Sequence, residues 1–101
     1  MREHGLKDLT AFQRDALAVV AKGGGLYGLA VKERLGEARG EAINHGRLYP
    51  NLDSLVHMGL VEKSERNGRT NEYAVTPAGR DAVSDYAEWV AEADQGGEAD
   101  E

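Results

Sequence analysis

Apolar residues recur at two periods along the chain, and the change of period divides the fold. Leu9, Phe12, Ala16, Leu17 and Val20 share one face of a helix. Thr10, with Gln13 three residues later, forms a capping-box pattern at its start. The helix is expected to stop at Lys22, where Gly23-Gly24-Gly25 breaks the pattern. No strand precedes these glycines and no Gly-Lys-Ser or Gly-Lys-Thr follows, so a tight turn is expected there and not a phosphate loop. A second helix is predicted over about 27–39, with Tyr27, Val31, Leu35 and Ala38 inward and Gly40 as its stop. The third is capped by Asn44, stapled by Ile43 and Leu48, and carries Leu48, Leu52, Leu55 and Val56 as its stripe. It should end near Met58, with Gly59 just beyond.

Pro50 sits inside that third helix, where proline removes a hydrogen bond and crowds the carbonyl four residues back, at a cost of about 3 kcal/mol. That carbonyl belongs to Gly46, the residue best able to bend. The sequence therefore predicts a distorted first turn over 45–49, angled from the helix body and presenting Arg47 and Tyr49. The alternative is a helix that starts late, with Pro50 harmless in its first turn.

From Leu60 the period becomes two. Residues 60–66 and 69–76 flank Asn67-Gly68, a two-residue hairpin signal. That turn pairs Leu60 with Val75, Glu62 with Tyr73, Lys63 with Glu72 and Arg66 with Arg69. Thr76-Pro77 then starts a last helix expected to reach about Ala93. The predicted layout is an N-terminal segment 1–9, a domain over 10–76, a C-terminal helix 77–93 and a disordered acidic tail 94–101. Helix, helix, helix, hairpin, helix is a mainly α fold with a β-hairpin (α+β), the order of a winged helix-turn-helix with a C-terminal dimerisation helix.

Composition narrows the chemistry. The chain has 101 residues and no cysteine, which leaves room for one core and excludes disulfides, thiol switches and cysteine-based zinc sites. No signal-peptide or membrane-spanning run is present, so a cytoplasmic location is expected. His4, His45 and His57 share no ligand spacing, so neither a metal nor another cofactor is expected. Without a nucleophile motif or triad, an enzyme is not expected either. The net charge of −6 is unevenly spread. Residues 1–80 hold 12 basic and 10 acidic side chains, a net +2, whereas residues 81–101 hold 8 acids and no base. The acidity is a C-terminal property, and with 8 Arg against 4 Lys it hints at a salt-rich cytoplasm.

Arg47 and Asn51 stand four apart on the third helix, with Ser54 beyond them, on the face read as opposite the leucine stripe. Arginine can bond guanine bidentately and asparagine adenine. At the hairpin tip, Arg66 and Arg69 would face each other, a repulsion that a phosphate between them would relieve. Thr70, Asn71 and the turn amides, Asn67 included, add neutral donors. On the last helix Ala82, Tyr86, Trp89 and Ala93, widened by Val83 and Val90, make a seam suited to a partner helix. The same stripe could instead pack on its own domain, or close a small aromatic pocket around Tyr86 and Trp89.

Residues 45–63, "HGRLYPNLDSLVHMGLVEK", followed by "RTNEYAVTPAGR", resemble the PadR-like winged-helix transcriptional regulators. The resemblance covers roughly residues 26–80, and the opening "MREHGLKDLTAFQRD" and acidic balance look most like the haloarchaeal RosR-type members. It implies a homodimer, held largely by the C-terminal helix with help from the first, that binds operator DNA; a pseudo-palindromic site in double-stranded DNA and action as a repressor are expected in addition. Recognition-helix roles fall on His45, Arg47, Tyr49 and Asn51, and wing roles on Arg66 and Arg69. An effector ligand is not specified, since one C-terminal helix replaces a longer domain. Salt cations are expected to screen the acidic protein from DNA. The competing expectations are a winged-helix protein-interaction module and a small-molecule sensor that does not itself bind DNA.

Overall fold

A computed structural model describes residues 6–66, 68 and 70–96. After a 3₁₀ turn at Leu6–Asp8, helix α1 spans Ala11–Gly23. Its capping box is formed: Gln13 N donates to Thr10 Oγ1 and Thr10 N donates to Gln13 Oε1, both at 3.1 Å. Strand β1 (Leu26–Tyr27) leads into α2 (Gly28–Arg39), which ends at Gly40 with φ +69°. Helix α3 is His45–His57, β2 is Val61–Arg66, β3 is Thr70–Val75 and α4 is Pro77–Gln95. The three strands form one antiparallel sheet in the order β1-β3-β2.

One core joins these elements. Phe12, Ala16, Leu17 and Val20 of α1 meet Val31 and Leu35 of α2 and Leu48, Leu52 and Leu55 of α3, all buried. Tyr73 of β3 and Ala82 of α4 close it from the sheet and the last helix. Helix α1 packs on every other helix and on β3, so it is the central element.

Several expectations change. Tyr27 is not the inward start of α2: it pairs with Glu72 in β1 and is 45% exposed. Ala38 is exposed as well. The hairpin register is one residue from the expected one, with Val61 opposite Val75, Lys63 opposite Tyr73, Ser64 opposite Glu72 and Arg66 opposite Thr70. The last pair before the turn is therefore Arg66 with Thr70, with three residues between them in the chain, and not Arg66 with Arg69. Lys63 does not face Glu72 either.

The cause lies at the end of α3. Gly59 adopts φ +79°, Gly59 N donates to Val56 O (2.9 Å) and Leu60 N to Leu55 O (3.0 Å). This is a Schellman helix stop, and it takes Leu60 out of the strand. Finally, α4 continues through Asp94 and Gln95, which were expected in the tail; residues 97–101 lie outside the described residues.

The same junction anchors α4. Thr76 N donates to Leu60 O (3.1 Å), Thr76 Oγ1 donates to Gly59 O (2.7 Å), and Gly79 N donates to Thr76 Oγ1 (3.0 Å). A Cβ on Gly79 would overlap the Leu60 carbonyl and stand 2.8 Å from Val75 Cγ2. Gly79→Ala is therefore expected to lower stability by about 1–3 kcal/mol through overpacking, although alanine is the better helix former by roughly 1 kcal/mol. Thermal or urea unfolding beside the exposed control Ser84→Ala checks the sign, and a Gly79→Ala protein as stable as the parent would contradict the close packing.

Candidate nucleic-acid interface

Helix α3 begins at a well-made cap. Asn44 Oδ1 accepts from Gly46 N (2.7 Å), and a Cβ on Gly46 would come within 3.1 Å of that oxygen. The Asn44 carbonyl accepts from both Arg47 N and Leu48 N, each at 3.0 Å. The first turn is thus tightened onto the cap, and the helix is continuous from His45 to His57 with Pro50 as its sixth residue. The late start is not found, and the first turn over 45–49 departs from a plain α-helical pattern in that Arg47 N reaches the carbonyl only three residues back. Pro50 is exposed, so its ring lies away from the core, and Gly46, whose carbonyl it cannot bond, is exposed as well.

Leu48, Leu52 and Leu55 bury one side of α3, and Pro50, Asp53, Ser54, His57 and Met58 line a shallow depression on its outer surface. Ser54 Oγ donates back to Pro50 O (3.1 Å). The His45 ring lies 4.4 Å from the Tyr49 ring. Tyr49 is half-buried and its hydroxyl end lies where a Cβ of Gly28 would be, so only glycine at the start of α2 admits it. Its ring is largely spent on packing.

Asn51 points toward α1. Its Oδ1 accepts from Gln13 Nε2 (3.0 Å) and its Nδ2 donates to Arg47 O (2.8 Å), so both ends of the amide are engaged within the protein. Gln13, nearly buried, serves the cap with one end and Asn51 with the other. The Arg47 guanidinium lies 4.0 Å over the Phe12 ring, with Nη1 3.9 Å from Glu41 Oε2. Arg39 approaches the same ring at 5.1 Å and bonds Asp15 and Glu41, each at 2.6 Å. The Arg39 hydrogen bond, outweighing partial desolvation, holds the Glu41 carboxyl below its ordinary range. This clasp between α1 and α3 was not anticipated; its only sequence sign is Gln13, which the capping box already explains.

The wing stands beside α3, and Lys63 of β2 pairs with Asp53 across the contact at 3.3 Å. Arg66 Nε donates to Glu72 Oε1 (3.0 Å), a bond that raises the guanidinium above its ordinary pKa. Thr70 is half-buried opposite Arg66. Asn67 and Arg69 lie outside the described residues, as does His4. Among the described residues no cluster of three or more His, Cys, Asp or Glu is placed to hold a metal ion, and no helix is long and apolar enough to cross a membrane.

The expected seam on α4 divides in two. Ala82 is buried in the core and Val83 packs against it. Tyr86 is half-buried with the Arg14 guanidinium 4.5 Å over its ring. Trp89, 61% exposed, and Val90, 40% exposed, stand in solvent with Ala93. The Tyr86 and Trp89 rings are 6.3 Å apart on this open face.

Comparison with known proteins agrees with this geometry. A search of curated proteins finds no match. H. salinarum RosR, solved in a complex, is 57% identical over 86% of this chain and 77% of its own, with a TM-score of 0.80. A RosR structure from crystals grown from NaBr gives 55% identity, 92% and 83% coverage, and a TM-score of 0.81. A winged-helix DNA-binding protein from STIV shares the fold at 20% identity, with coverage of 79% and 87% and a TM-score of 0.69. The model of the transcriptional regulator PadR-like family matches residues 16–85. That span runs from the middle of α1 through the wing into α4, and the chain belongs to the PadR-like family of transcriptional regulators.

Proposed function

We propose that this regulator binds double-stranded DNA as a homodimer at a pseudo-palindromic operator and acts as a repressor, without enzymatic activity. The observation that carries the reading is the packing of the wing's β2 beside the uncovered side of α3, held by the Leu60 junction, with Lys63 next to Asp53 across the contact. Helix and wing then form one continuous face, the arrangement by which a winged helix-turn-helix reads the major groove and holds the flanking backbone.

Within that face Arg47 reads base edges, and His45 and Ser54 border it. Arg66, Thr70 and the loop residues Asn67 and Arg69 hold phosphates. Tyr49 contributes through its ring, which supports His45. Asn51 would read a base only by exchanging Gln13 and the Arg47 carbonyl, so its role is to orient the first turns of α3 against α1. The acidic α4 and tail repel DNA, and salt cations screening them belong to the same reading.

Arg47→Ala is expected to cost about 1–3 kcal/mol of DNA affinity and to relax preference at one base position. Arg66→Ala should weaken all sequences alike and flatten the dependence of log K on log salt by about one unit. Binding measured across operator variants and a KCl series separates them; a uniform loss for Arg47→Ala would remove its base-reading role.

Dimerisation follows from the exposed Trp89 and Val90, an apolar pair that the chain's own fold leaves uncovered. Two recognition helices would then meet successive major grooves. Trp89→Ala should shift the protein to monomer in light scattering or sedimentation while leaving its helical circular dichroism intact. A Trp89→Ala protein of unchanged mass would reject α4 as the contact.

A further inference from the structure

Helix α3 and strands β2 and β3 carry three Lys and Arg residues among the described residues, and each has a carboxylate beside it. Arg66 is held by Glu72 at 3.0 Å and Lys63 by Asp53 at 3.3 Å. Arg47 lies 3.9 Å from Glu41 and is folded onto Phe12. The pairs come from different elements: a cross-strand diagonal, a helix–strand contact, and the loop before α3. Each described cation on the face assigned to DNA therefore already has an acid partner within the protein. Unlike the arginines, Glu72 is only partly exposed, which fixes it in place as a partner for Arg66.

We propose that Glu41, Asp53 and Glu72 are specificity-determining residues that withhold Arg47, Lys63 and Arg66 from DNA of the wrong sequence. The proposal rests on the DNA-binding reading above and adds how that face discriminates. A phosphate backbone alone offers each cation one anion in exchange for another, so non-specific duplex gains little. A duplex whose bases also bond the recognition helix gains enough to complete the exchange, and the freed carboxylates turn to solvent or salt cations. Exposed pairs of this kind are weak, so the exchange is reachable. The withheld cations also release fewer counterions from non-specific DNA, which makes its binding less steep in salt.

The test uses the full chain and two probes: an unselected pool of random 30-base-pair duplexes, and the duplex that the parent protein enriches from that pool. Glu72→Gln and Asp53→Asn keep side-chain shape and remove the charge, while Glu92→Gln, exposed on α4, removes an equal charge elsewhere. The expected result is that Glu72→Gln and Asp53→Asn each bind the unselected pool about two- to fivefold tighter. Their salt slope should steepen by about 0.9 per cation freed. The gain on the enriched duplex should be smaller, so the specificity ratio falls, and Glu92→Gln should move neither.

Unchanged affinity for the unselected pool, or an equal gain from Glu92→Gln, would overturn the proposal while leaving the DNA-binding reading standing. A parent protein that enriches no duplex and binds none at low salt would remove that reading, and this proposal with it.

Discussion

Leu60 joins the helical half of the fold to the sheet, and the placement of the wing depends on it. Its N–H closes α3 on Leu55 O, its carbonyl receives Thr76 N–H, and its side chain is buried in the core. Each backbone polar group has one partner to find, and here both partners lie on elements that must come together. Gly79 packs on the same carbonyl, so α4 also starts from this point. The angle between wing and recognition helix, and the direction in which α4 leaves the domain, are set by one junction. Neither can shift far without opening a helix end in the interior.

What the sequence showed, and what it hid, follow from how local each interaction is. The caps at Thr10, Asn44 and Thr76 and the stripes of α1 and α3 were legible because they need only residues within a turn of one another. The hairpin was legible too, but not its register. Asn67-Gly68 signals a turn, whereas its length is decided by which residue enters β2, and the Schellman stop had already taken Leu60. Strand β1 has two residues and exists only because β3 is there to pair with it. Tyr27 looked like a helical apolar position for the same reason: nothing local says it is in a sheet.

Pro50 and Asn51 show the same limit at the candidate site. A proline in a helix pointed to a distorted first turn, and there the Asn44 carbonyl takes two amides. Gly46 and Pro50 are both exposed, so a carbonyl that loses the proline's amide can turn to solvent at little cost. Asn51 looked like a base reader by residue type. In the folded chain its amide oxygen accepts from Gln13, a partner 38 positions away that no helical spacing reveals. Residue type named the chemistry available on α3, and tertiary contacts decided which side chains remain free to use it.

The division of α4 has a geometric cause. Arg80 near its start reaches Ala21 O at the end of α1, at 3.5 Å, while Tyr86 lies under Arg14 near the beginning of α1. The two helices therefore run antiparallel, and at about 1.5 Å per residue α4 is roughly 28 Å long against about 20 Å for α1. Past Tyr86 the supporting helix runs out, and the 3₁₀ turn at Leu6–Asp8 offers only a short surface in its place. Two unsupported turns gain little from helix propensity alone in water. A segment that keeps Trp89 and Val90 uncovered beyond its own domain is more stable with a second apolar surface against it, and this is why the length of α4 and the proposed dimer belong together.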